Sequence, residues 1–342
     1  MNGGRDSGSR MLAHPLTRLL AVLLVLCAVP AAVEAQQQRR GAPQEAAEPM
    51  REATKLLETI RFSNLEPGWR GYAFARYARA LARIPDTELA KTMATSAIQA
   101  MDEPVKTPPP AQVSAGVVYA VLVQAYAELR EVNVAQALAQ KAYPALQRLP
   151  DNATKANLMP YLAIGLADIG NRDGAGLAAL EGLRAATQVP PGRDQIGALS
   201  QVTVAQTKIG DRREAEETIQ IARQAAAAIT DGTGRVYALA HLARAEAALG
   251  NRDRARVMAR DSAQAYDKTQ TDPGFTAAQR VTTLGLIALA QAEALDRNAA
   301  RQTLRALKAT SASLTQTYER FQALVTEIDT IVLIDRGTAQ AQ

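Results

Sequence analysis

"LGNRDRA", residues 249–255, repeats an earlier phrase of the same chain: "IGDRREA" stands at 209–215 and "IGNRDGA" at 169–175. The glycine and the closing alanine persist at a spacing of 40 residues while other letters drift. Glycine readily takes the left-handed backbone conformation that ends a helix. The Asn or Asp after it (Asn251, Asp211) suits the cap of the next helix. The phrase therefore reads as the turn of a helical hairpin, with its alanine the first close contact of the second helix.

The alanine recurs on both sides. Ala90, Ala135, Ala175, Ala215, Ala255 and Ala300 are separated by 45, 40, 40, 40 and 45 residues. Twelve residues before each stands another mostly small residue: Ala78, Val123, Ala163, Thr203, Ala243 and Ala288. Seven after come Ala97, Ala142, Gly182, Ala222, Ser262 and Leu307. Small residues in register on successive segments imply close helix packing. In "GRVYALAHLARAEAAL" (234–249), Val236, Leu239, Leu242, Ala243 and Leu249 gather on one side at helical spacing. Glu246 falls inside that stripe, so its carboxylate must find a partner or reach an edge.

Pro and Gly stop helices between hairpins, at "EPVKTPPP" (103–110), "LPDN" (149–152), "VPPG" (189–192), "TDGTG" (230–234) and "TDPG" (271–274). The pattern predicts six helical hairpins, with a short helix before them at about 50–61 and another after them at about 314–335. A repeat period of roughly 20–50 residues is the signature of a solenoid, here an all-α one. Composition agrees. Hydrophobic residues are 47% of 342 but aromatics only 4%, so the core is built largely from Ala and Leu, which are strong helix formers.

At this point the chain resembles the tetratricopeptide repeat family over about 68–310. The resemblance rests on the twelve-residue Ala-to-Ala step, the Gly five residues before the second Ala and the small residue seven after it. It departs in period, since that family's unit is about 34 residues. The resemblance implies a right-handed α-solenoid whose first helices line a concave, partner-binding groove.

The flanks have their own reading. Arg10 and Arg18 precede the apolar run "LLAVLLVLCAV" (19–29), and "AAVEA" ends at Ala35 with small residues where a signal peptidase needs them. Residues 1–35 are expected to be a secretory signal peptide, which places the mature chain in the periplasm or outside the cell without a transmembrane span. Leu26 stands where a lipoprotein site before Cys27 wants Gly, Ala or Ser, which argues against a lipid anchor. Residues 36–49 are expected to be a disordered linker, 50–313 the repeat domain, and 314–342 a capping helix and tail. Tyr318, Phe321, Val325, Ile328 and Val332 give that last helix an apolar stripe, for covering the end of the stack or for a dimer contact.

Chemistry is sparse. Cleavage removes Cys27, the only cysteine, and His14, leaving His241 as the one histidine. Metal ligation and Ser-His-Asp catalysis both need more than that, no phosphate loop is present, and no cofactor is expected. The charge of +5 is spread along the chain without a basic arm, which argues against nucleic acid. What remains is surface recognition.

Two first helices share letters, "RGYAFARYARALARI" (70–84) and "RVYALAHLARAEAAL" (235–249). Tyr72, Arg76, Arg79 and Arg83 form one stripe, and Tyr237, His241 and Arg244 occupy the same stripe on the second. Arg and Tyr are enriched where proteins bind, and Arg grips carboxylates bidentately. The other helices offer mainly small or neutral groups at this phase (Val117, Val121, Asn157, Gly197, Gln201). These seven residues are the candidate site for an acidic protein or peptide segment. In the alternative, the tyrosines pack under neighbouring helices while the arginine heads sit in water. The expected role is an exported, non-enzymatic binding scaffold. A self-associating structural protein, or a regulatory subunit of an envelope enzyme or polysaccharide exporter, are its rivals.

Overall fold

Every rung of the small-residue ladder is buried: Ala90, Ala135, Ala175, Ala215, Ala255 and Ala300 have no exposed surface, and neither do their partners twelve residues earlier. The computed structural model describes residues 43–84, 87–103, 114–272 and 274–339. The expected signal peptide and lipid-anchor site lie outside them. The fold is an all-α solenoid of helical hairpins.

The described residues hold fourteen α-helices: α1 (Ala47–Arg61), α2 (Pro67–Ala82), α3 (Thr87–Met101), α4 (Ala115–Glu128), α5 (Val132–Gln147), α6 (Ala153–Asp168), α7 (Arg172–Gln188), α8 (Arg193–Ile209), α9 (Arg212–Ala227), α10 (Gly232–Ala248), α11 (Arg252–Thr269), α12 (Ala277–Glu293), α13 (Arg297–Ser311) and α14 (Thr317–Ala339). Six hairpins run from α2–α3 to α12–α13, each packed within itself. The first helices α2, α4, α6, α8, α10 and α12 also pack each on the next, forming an inner row. Close approach is what the small residues permit. A Cβ added at Gly182 on α7 would meet the Pro160 ring of α6 at 2.8 Å.

The repeated turn has one backbone shape and several spellings. Gly170, Gly210 and Gly250 have φ of 80°, 100° and 83°, and Arg130 and Leu295 take the same left-handed conformation at 61° and 60°. All five stand five residues before a ladder alanine. The expected capping by Asn251 and Asp211 differs: both occupy the N-cap position, but neither side chain caps its helix. The Asn251 amide instead donates to Glu246 Oε2 at 2.8 Å. Glu246 is fully buried, and it also accepts from Arg223 Nε on α9 at 2.9 Å. The opening phrase thus supplies part of the answer to the carboxylate buried just before it.

The two ends of the stack meet. α14 covers α12 and α13, as a cap would, and also packs along α1 and touches α2. Arg320 donates to both Glu52 oxygens, at 2.8 and 3.0 Å. Phe321 sets its ring edge-on against Tyr77, and Tyr318 does the same against Trp69, with centroids 6.0 and 5.6 Å apart. Tyr77 in turn reaches the Met50 carbonyl and Thr54 hydroxyl of α1. α14 and α1 therefore form a seventh pair from opposite termini, with α14 completing the inner row. The aromatic group around α2, which an open stack leaves at an exposed end, is covered by this closure. The linker boundary also moves: Gln44–Ala46 forms a 3₁₀ turn, and Ala46, Pro49 and Met50 are buried against the ring. Among the described residues no helix is long and apolar enough to cross a membrane.

Candidate functional site

Closing the row brings the arginine stripe face to face with α14. Tyr72, Arg76, Arg79 and Arg83 line a central pocket of about 140 Å³ together with Arg244, Tyr161, Glu293 and Asp329. Val121, Leu289 and Leu333 supply its apolar wall. Five of the seven sequence-selected residues therefore converge. The other two stand aside: Tyr237 lies under the Arg193 guanidinium of α8, 5.4 Å from its ring centre, and His241 faces Gly197 on the same helix.

The arginine heads do not stand in open water. Arg79 Nη2 donates to Asp329 Oδ2 at 3.0 Å and Arg83 Nη1 to Asp329 Oδ1 at 3.3 Å. The Arg79 and Arg83 side chains keep only 12% and 20% of their exposure, and Asp329 keeps 2%. Arg83 Nε also donates to Glu128 Oε1 at 3.1 Å, while Arg336 of α14 takes Glu128 Oε2 at 3.2 Å. Arg244 grips both oxygens of Glu293 at 2.8 Å. Arg76 has no ion pair or hydrogen bond among the described residues, although Asp329 and Tyr161 feel its charge.

Burial and charge together set the protonation states. Burial pushes the Asp329 carboxyl up, but Arg79, Arg83 and Arg76 outweigh it and hold it below the usual carboxylate range. Burial likewise raises the Tyr161 phenol, and Arg79, Arg244 and Arg76 more than reverse this, so its pKa is lowered. His241 is pushed down to about 3, by burial first and by the Arg244 charge second. A general base works best with a pKa near the ambient pH, so this imidazole is badly placed for acid–base chemistry.

Tyr161, Asp329 and Glu293 escaped the sequence reading. Tyr161 stands two residues before ladder residue Ala163, as Arg76 stands before Ala78. Gln124, which accepts from Arg79 Nη1 at 3.2 Å, occupies the register position of Arg79 itself. Glu128 and Glu293 occupy that of Arg83. Following the stripe through every hairpin would have found these four. Asp329 belongs to a helix outside the ladder, and no repeat register points to it.

No protein-family model matches the chain, and no curated protein does. A solved structure, the crystal structure of the apo form of RapI, aligns with 84% of this chain and 72% of its own at 10% identity, with a TM-score of 0.31. That likeness is too slight to carry an argument about function.

Proposed function

We propose that the chain is an exported, non-enzymatic binding protein of tetratricopeptide-like architecture, acting in the periplasm or cell envelope. Its binding surface is the inner face carrying Tyr72, Arg76, Arg79, Arg83 and Arg244, flanked on α10 by Tyr237 and His241. Its partner is a protein segment with carboxylates. The observation that carries this reading is the grip of Arg79 and Arg83 on Asp329: the stripe takes a carboxylate presented by a helix, supplied in this structure by the chain itself. A partner's acidic segment would compete with α14 for the same guanidinium groups.

Crosslinked capture from the native envelope tests the reading with two opposed variants. Asp329→Asn loosens the internal competitor and is expected to raise capture. Arg79→Gln removes part of the shared binding surface and is expected to lower it. Equal capture by both and by the parent chain would put the binding surface elsewhere. Self-association through α14 has less support, because Phe321, Val325, Ile328 and Val332 are consumed within the chain. Export is tested separately: the intact mass of the secreted form is expected to begin at Gln36.

A further inference from the structure

Of the four arginines that line the central pocket, three are held by carboxylates and the fourth is not. Both Asp329 oxygens are taken by Arg79 and Arg83, both Glu293 oxygens by Arg244, and both Glu128 oxygens by Arg83 and Arg336. Arg76 is left over, on the wall of the same pocket. Arg79 Nε is also buried without a hydrogen-bond partner among the described residues. Buried donors are normally satisfied, and an unfilled one calls for a ligand, an ion or water.

We infer that the closed ring binds a small organic carboxylate in this pocket, its head between Arg76 and the free Nε of Arg79. Charge sets the head group. Guanidinium groups favour planar oxyanions, which they hold through paired N–H donors. Size and lining set the body. An apolar cavity of about 150 Å³ holds a molecule the size of benzene, and this pocket is of about 140 Å³. With Asp329 and α14 in place a peptide segment does not fit, whereas a carboxylate with a short hydrocarbon body does. Val121, Leu289 and Leu333 offer that body an apolar wall. Phosphate matches the charge but wastes the wall. The inference stands apart from the partner reading, because it requires Asp329 in place and the ring shut.

Calorimetric titration of the mature chain with butyrate, benzoate and inorganic phosphate tests it. Butyrate or benzoate is expected to bind, and more tightly than phosphate. Arg76→Gln is expected to weaken binding about tenfold to a hundredfold, the usual worth of a charge-assisted hydrogen bond. Its melting temperature should stay near that of the parent, because Arg76 holds no hydrogen-bond or ion-pair partner among the described residues. A second readout is spectroscopic: bound carboxylate offsets the guanidinium charge, so phenolate absorbance should appear at higher pH, and Tyr161→Phe should abolish that shift. No binding by either carboxylate, phosphate binding as tightly, or an Arg76→Gln chain that binds like the parent would each overturn the inference. None of these outcomes depends on capturing a protein partner.

Discussion

Asp329 accepts hydrogen bonds from Arg79 and Arg83 across sequence separations of 250 and 246 residues. This carboxylate ties the last helix to the first hairpin from inside the ring. Removing one partner of a buried pair strands the other charge and costs about 3–5 kcal/mol. Asp329→Ala is therefore expected to lower the melting temperature strongly, and Asp329→Asn less so. The pH dependence has a definite sign. The folded-state pKa lies below the unfolded value of 3.8, so the stabilisation is complete above that value. It is lost as pH falls through the folded pKa. Acid titration of the parent and the Asn variant, followed by circular dichroism, measures the difference.

Ring closure predicts a compact particle. A globular chain of this size has a radius of gyration of about 19 Å, and an open arc of the same hairpins would exceed it. Small-angle scattering of a chain that begins at Gln36 is expected near the compact value, and one that also ends at Thr310 well above it. The single tryptophan gives an independent reading. Trp69 packs on Tyr318, so losing α14 should change its fluorescence, and amide exchange should rise in α1.

His241 should stay uncharged through the physiological range. Its folded pKa of about 3 lies below the ordinary imidazole value of 6.5. The unfolded chain therefore binds the extra proton between those values. Stability is fully present above about pH 6.5 and falls toward pH 3, by no more than roughly 1.4 kcal/mol per pH unit from this group. In a chain that begins at Gln36, and so lacks His14, His241 supplies the one imidazole signal in a proton NMR spectrum, which should not move between pH 8 and pH 5.

Glu246 is the sharpest test of the inter-helix polar links. With Arg223 and Asn251 as partners it joins α9, α10 and the following turn. Glu246→Ala is expected to cost about 3–5 kcal/mol. Replacing Asn251 by Ala should cost only about 1 kcal/mol, since Arg223 keeps the carboxylate paired. Chemical denaturation of both variants checks the order.

Arg130 carries a left-handed backbone without glycine, on an exposed turn. Arg130→Gly is expected to stabilise by roughly 1 kcal/mol, because the strain relieved exceeds the entropy lost. Gly250→Ala, at the equivalent turn, should destabilise by a similar amount.

These elements also mark what was legible in the sequence. The hairpins were, because the space between close helices admits only small side chains, and that restriction writes itself into the letters at a fixed step. Ala255 and its equivalents are buried for that reason. The turn was half legible: Arg130 and Leu295 adopt the backbone that Gly170, Gly210 and Gly250 advertise, and nothing in their letters says so. Closure was not legible. The contact of α1 with α14 is made once, between unlike surfaces such as Glu52 and Arg320, so it leaves no period to detect. Arg79 and Arg83 were readable as carboxylate binders, but their carboxylate sits on the one inner helix without the ladder.

A seventh pair assembled from the two termini changes what the repeats are free to do over evolutionary time. An open solenoid gains or loses a unit with little penalty, since each unit answers only to its neighbours. Here a duplicated or deleted hairpin would swing α14 out of register with α1 and α2, and Asp329 away from its arginines. The number of units is therefore locked by geometry. The same lock acts on every newly made molecule: the ring stays incomplete until the last residues of α14 arrive, so a chain cut short leaves α1 and the aromatic face of α2 uncovered.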